Sequence, residues 1–173
     1  LISAMIGIVG ILVLAYLMHR SGRKSLLSMI CKMSVGDVQS IIAEVKGPFQ
    51  AISKLDLTTC SIESLSEWLE TNIPRIDIQN KFVKPRIGYY WIICFGVIFG
   101  EKIAKTHSQL KWTDSEDGPL LKASKGDKSL SLFPIEKIYK QYGTRAEGDL
   151  LAYVSEIGPA LVGLSLQPTD SEL

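Results

Sequence analysis

Histidine and cysteine are scarce in this chain of 173 residues: there are two histidines, His19 and His107, and three cysteines, Cys31, Cys60 and Cys94. The cysteines are odd in number and far apart, with no C-x-x-C and no histidine pair beside them, so they point to neither a disulfide framework nor a zinc site. They are expected to be buried or free thiols of a reducing compartment. Catalytic motifs are missing as well. The chain has no H-E-x-x-H, no G-x-x-x-x-G-K-[ST], no G-x-G-x-x-G after a strand and no G-x-S-x-G, so the metalloprotease, phosphate-loop, dinucleotide and serine-hydrolase arrangements have no residues to build on. No enzyme, cofactor, metal or catalytic residue is expected. A one-sided charge is also lacking, since 19 basic residues face 18 acidic ones, and a global field that would gather nucleic acid is not expected. Internal repeats and low-complexity tracts are absent, and 46% hydrophobic with 21% charged residues describes one folded domain.

What the chain does have is two long uncharged runs. The first, Leu1–Met18 (LISAMIGIVGILVLAYLM), reaches the length of a transmembrane helix once its flank is included. No A-x-A cleavage site comes after it, so an uncleaved anchor is expected rather than a signal peptide, with an apolar helix packed within the soluble domain as the alternative. His19, Arg20, Arg23 and Lys24 come next, and such a basic flank places the C-terminal side of the run in the cytoplasm. The expected organisation is a transmembrane anchor over 1–18, a basic juxtamembrane segment over 19–36, an α+β domain over 37–166 and a flexible tail over 167–173.

The second run is Ile87–Gly100, IGYYWIICFGVIFG, closed by Glu101 and Lys102. At 1.5 Å per residue it spans about 21 Å against a hydrocarbon thickness of roughly 30 Å, which favours a central buried helix. A second membrane element stays open as the alternative, because Lys81, Lys84 and Arg86 precede the run as a basic flank. Pro85 suits the helix start. Gly96 and Gly100, four apart, permit close approach of a neighbour.

Periodicity and punctuation give the remaining elements. Asp37 is expected to cap a helix over Val38–Lys46, stopped by Gly47-Pro48. Ile62, Leu65, Leu69 and Ile73 form the apolar stripe of another helix, ended by Pro74. Leu110–Thr113, Leu120–Ala123 and Ser129–Phe133 read as a three-stranded meander, turned at Asp114–Pro119 and Lys125-Gly126-Asp127. Pro134 opens a helix to Gly143. Thr144-x-x-Glu147 reads as the capping box of a last helix, stopped by Gly158-Pro159 and succeeded by an extended Ala160–Leu166. The expected fold class is therefore α+β: an N-terminal transmembrane helix, a helical domain with a central apolar helix, and a short antiparallel meander with two helices after it.

Few side chains stand out as binding candidates. Glu101 closes the apolar run and is expected to be partly buried or paired with Lys105 at i, i+4. Asp114, Glu116 and Asp117 form an acidic turn without calcium-loop spacing. Trp112 lies on the first strand.

A pattern of order and spacing connects several of these features. D-L-T-T-C-S-I-E-S-L (Asp56–Leu65) opens a helix, and a Gly-rich apolar helix ends in Gly100-Glu101. Trp112 lies on the next strand, Pro134 precedes a helix, and Asp149-x-x-Ala152-Tyr153 belongs to the last one. Over about Leu57–Ile157 the chain resembles small, largely uncharacterised bacterial α+β domains, some of them immunity proteins of polymorphic toxin systems. The resemblance implies a non-enzymatic protein-binding module whose partner is another protein, a toxin or a membrane-complex subunit. With the anchor Leu1–Met18 holding it, it would sit single-pass in a bacterial inner membrane with the C-terminal domain in the cytoplasm.

Overall fold

A computed structural model describes residues 26–72, 85–143 and 150–166. The expected anchor Leu1–Met18, the tail, Pro74 and the Thr144-x-x-Glu147 box lie outside the described residues. Those described form six α-helices and a three-stranded antiparallel sheet. None of the described helices is long and apolar enough to cross a membrane.

Helix α1 (Leu26–Ile30) turns through Lys32 into α2 (Val35–Ser53). The start of α2 corrects the sequence expectation by one turn. Ser34 is the N-cap, Asp37 occupies the N3 position, and each side chain accepts the other's backbone N–H in a capping box. The end of α2 is a larger correction, because the helix runs through Gly47-Pro48 to Ser53. Proline removes one helical hydrogen bond at a cost of about 3 kcal/mol. Against that, the turn beyond it buries Phe49 to 1% exposure, edge-on to Trp68 and Phe95 at 5.0 and 6.0 Å. Burying such a ring contributes about 1.5–3 kcal/mol, and each aromatic pair a further 0.5–1.5 or so. The helix then closes on Lys54 at φ 61°, whose N–H donates to Gln50 O.

Helix α3 (Ile62–Asn72) buries Ile62, Leu65 and Leu69 as its stripe predicts. The central helix, α4 (Pro85–Thr106), carries the expected apolar run, and every residue from Ile92 to Gly100 is buried. Helices α2 and α3 pack against it, and so does the segment beyond the sheet. Strands β1 (Lys111–Thr113), β2 (Leu120–Lys125) and β3 (Lys128–Leu132) form the meander in the order β1-β2-β3. Register places Trp112 opposite Leu121, and Leu121 opposite Leu132, on the inward face, while Lys111, Lys122 and Ser131 line up on the outward one. The turn between β1 and β2 packs so closely on the α1–α2 corner that a side chain at Gly118 (φ 99°) would run into the backbone carbonyl of Ile30.

Helix α5 (Pro134–Ile138) starts at its proline as expected and widens into a π-helical turn over Tyr139–Gly143. It lies directly on the glycines of α4. A Cβ built on Gly96 would stand 2.5 Å from Ile135 Cα, and one on Gly100 would stand 2.5 Å from the Trp112 ring. The four-residue glycine spacing thus serves close packing within one chain. Helix α6 (Leu150–Leu166) overturns the expectation of a stop at Gly158-Pro159 and an extended Ala160–Leu166. Leu150, Val154, Ile157 and Leu161 are buried at intervals of four, three and four, so the apolar stripe continues past an exposed Pro159.

Candidate functional site

Several conspicuous side chains turn out to hold the fold. Asp114 accepts the Val35 N–H at 2.7 Å, tying the β1–β2 turn to the N-terminus of α2, where a carboxylate also complements the helix dipole. Its companions Glu116 and Asp117 are exposed. Among the described residues there is no group of three or more His, Cys, Asp or Glu side chains that would hold a metal ion. Trp112 lies against Gly100, and its buried indole N–H has no acceptor among the described residues. Glu70 accepts the Leu150 N–H at 2.6 Å and so links α3 to α6. Cys94 is buried, and burial pushes its thiol up to about 12, far from the thiolate a nucleophile needs. Burial likewise raises Tyr153 to about 12, with Lys137 Nζ 5.2 Å from its ring centre.

Glu101 is different, because the structure places it on the rim of a cleft. Ile98, Glu101, Lys102 and Lys105 of α4 form one wall, Ile42 and Lys46 of α2 the other, and Leu57 of the α2–α3 loop closes the end. Helical geometry explains the assembly: 98, 101, 102 and 105 are spaced i, i+3, i+4, i+7, and 42 and 46 are spaced i, i+4, so each set shares one face. The cleft has room for about 20 Å³ of contents. That is about one water or one small polar group, against roughly 300–1,000 Å³ for a typical small-molecule site.

Three lysines and one glutamate are among the residues that line this cleft, and the surface they and their apolar neighbours present to it is largely apolar. Lys105 Nζ stands 3.3 Å from Glu101 Oε1, forming the expected i, i+4 pair, with the lysine side chain 52% exposed and the glutamate 25%. An exposed pair of this kind contributes about 0–1 kcal/mol. Lys102 is the unusual member. It is 9% exposed, and the hydrogen bond its ammonium makes among the described residues is a long one, 3.4 Å to Leu57 O. An ammonium carries three donors, so its hydrogen-bonding capacity is largely unspent.

The surrounding carboxylates are otherwise engaged. Asp56 accepts from Thr58 N–H at 2.8 Å and from Gln50 Nε2 at 3.1 Å. Its carboxyl lies below the usual range first because of the Thr58 backbone bond, with Lys46 adding a smaller pull. Glu63 is lowered first by its own backbone N–H, then by the Ser61 hydroxyl, with Lys102 as a weaker influence. His107, at the end of α4, is not part of the cleft wall.

Sequence reasoning singled out Glu101 and missed Lys46 and Lys102. The signal was present in the i, i+3, i+4, i+7 face just described, but the pairing of that face with Ile42 and Lys46 requires the helix packing. The class defined by fold and site is thus an α+β domain with a buried glycine-bearing helix and a small cleft at its polar end. Comparison with protein-family models, with curated proteins and with solved structures gives no match.

Proposed function

We propose that this chain is a membrane-anchored, non-enzymatic protein-binding module of bacterial type, an immunity protein that binds and blocks a toxin from the cytoplasmic side of the inner membrane. The observation that carries the reading is the cleft itself. It is lined by three lysines and a glutamate around a largely apolar interior, and with room for about one water it is too small to enclose a substrate for chemistry. The engagement of Asp114 and Glu70 in tying elements together supports the same view, since it leaves those carboxylates to the scaffold.

Deleting the gene tests this directly. A strain lacking the protein is expected to be inhibited by its own parent in dense co-culture, and the full chain supplied in trans is expected to restore growth. Equal growth of the deleted strain beside parent and non-parent competitors would refute the toxin-blocking role. The alternative is a subunit of a membrane complex with Ile87–Gly100 as a second membrane element, favoured by the basic flank Lys81, Lys84 and Arg86. Protease treatment of sealed vesicles separates the two. The tethered module exposes Trp112–Ile157 on the cytoplasmic side, and the two-element subunit protects it there.

A further inference from the structure

We infer that the free edge of β3 pairs with the β3 edge of a second copy of this chain, joining two three-stranded sheets into one of six strands about a two-fold axis through Leu130. The inference goes beyond the protein-binding reading above and does not depend on it.

The β2–β3 turn decides which backbone groups face outward. Lys125 and Lys128 pair directly across the two-residue turn Gly126-Asp127, so they exchange both of their backbone hydrogen bonds, and bonded and non-bonded pairs alternate from there along the ladder. Lys128, Leu130 and Leu132 therefore spend their N–H and C=O groups on β2, while Ser129 and Ser131 direct theirs to the edge. Among the described residues no backbone group of another element meets them, and both serines are exposed.

The sheet has two edges, β1 and β3, and they are unequally protected. Strand β1 is three residues long and carries Lys111, and brevity and lysine are two of the devices that keep an edge solitary. Strand β3 pairs with β2 over five consecutive residues without a bulge, contains no proline, and is uncharged over Ser129-Leu130-Ser131. The half-buried Leu130 packs on the core from the inner face, where α6 lies against β2 and β3.

A second copy fits this edge because its pattern is complementary to itself. Antiparallel pairing centred on Leu130 sets Ser129 opposite Ser131 of the second copy, twice over, and these are the residues whose outward groups are available to exchange bonds. The two Leu130 side chains become the non-bonded pair, where side chains stand closest, and extend the apolar inner layer. Slipping the register by one residue would set the outward groups of one copy against the spent groups of the other. Charge does not oppose the pairing. Lys128 falls opposite Leu132 of the second copy, and the two Lys128 residues, four positions apart along the strands, stand about 14 Å from each other, beyond a Debye length of about 8–10 Å.

Sedimentation of the full chain in mild detergent, at concentrations up to about 1 mM, measures the association, and a monomer–dimer equilibrium is expected. Ser131→Pro removes an outward N–H and leaves the β2 ladder its bonds. Two-fold symmetry doubles that loss, so the dissociation constant should rise about thirtyfold. Ser131→Ala keeps the N–H and should change it less than about threefold. A second set of variants avoids any effect of proline on folding: Ser129→Lys with Ser131→Lys in one chain, and Ser129→Glu with Ser131→Glu in another. Each alone sets like charges opposite one another and should stay monomeric, and an equimolar mixture of the two should recover the dimer.

A wild-type chain that stays monomeric up to about 1 mM would overturn the inference. So would a dimer that Ser131→Pro leaves equally tight, since the association would then use another surface, the expected anchor included. Equal weakening by Ser131→Ala and Ser131→Pro, or a mixture of the charged variants that remains monomeric, would overturn it as well. The co-culture experiment bears on none of these results, so the two readings fail separately.

Discussion

Gly96→Ala offers a sharp test of how α5 sits on the central helix. In an isolated helix this change gains about 1 kcal/mol, because glycine is the poorer helix former. Here the added methyl would stand 2.5 Å from Ile135 Cα and 3.1 Å from its Cβ. The first of these is backbone, which cannot rotate away as the end of a side chain would, so α5 must shift. Overpacking a close contact costs about 1–3 kcal/mol, and the backbone clash argues for the upper end. The net expectation is destabilisation by about 2 kcal/mol. Gly163→Ala is the matched control: it lies in α6, is exposed, and has nothing within 4 Å of its built Cβ. That variant should be stabilised by about 1 kcal/mol. Since the propensity gain is common to both, their difference of about 3 kcal/mol isolates the clash. Urea titration of the full chain in mild detergent, monitored by tryptophan fluorescence, reads both midpoints, and an unchanged slope shows that the same surface is exposed on unfolding. If Gly96→Ala were stabilised as much as Gly163→Ala, α5 would not lie on Gly96 and the packing described for α4 would be wrong.

Individual contacts yield two further outcomes. Asp114→Ala removes the 2.7 Å acceptor of Val35 N–H and should lower the urea midpoint by the equivalent of about 1–2 kcal/mol; an unchanged midpoint would refute the tie between the β1–β2 turn and α2. Alkali should act through Cys94, whose folded pKa is raised to about 12 by burial while an unfolded thiol titrates near 8.5 or so. Below that value both states hold the proton and the stabilisation is fully present. Above it the unfolded state loses its proton first, so stability falls by about 1.4 kcal/mol per pH unit until the folded thiol also titrates. In Cys94→Ala the alkaline slope should be shallower by that amount between about pH 9 and 11, and an identical slope would refute the assignment.

How much of this was legible in the residues depends on the kind of signal. The central helix could be read because an apolar run with no polar face has few places to go, and Ile92–Gly100 is buried on all sides. Strands β1 to β3 could be read because alternation and turn residues coincide, as at Lys125-Gly126-Asp127. The helix ends could not. Pro48 and Pro159 each carry a local cost, and in both cases the decisive term is tertiary: Phe49 enters an aromatic cluster with Trp68 and Phe95, and Leu161 extends a buried stripe. A proline weighs against a helix only as long as nothing beyond it has a core to enter. Asp37 was misplaced by one turn for a smaller reason, since Ser34 and Asp37 are both good caps and only geometry shows which one caps and which one reciprocates. The site was half legible, because Glu101 was conspicuous on its own helix while Lys46 comes from another.

The least expected feature of the cleft is that the packing does not require its charge. Lys102 lies on the same face as Ile98 and Lys105, two residues beyond an all-apolar stretch, and at 9% exposure it is nearly as buried as Leu57 at 8%. Replacing a buried ion with an apolar residue of similar length is often neutral or stabilising, and a methionine would fill the same volume without the desolvation cost. The 3.4 Å bond to Leu57 O, the one its ammonium makes among the described residues, is a poor return for an ammonium that could have stayed in water. A scaffold role therefore predicts that Lys102→Met lowers stability, as removal of a working structural tie would. A residue that the scaffold does not need predicts the reverse: stability unchanged or raised. Those two outcomes exclude each other, and urea unfolding of the purified variant decides between them.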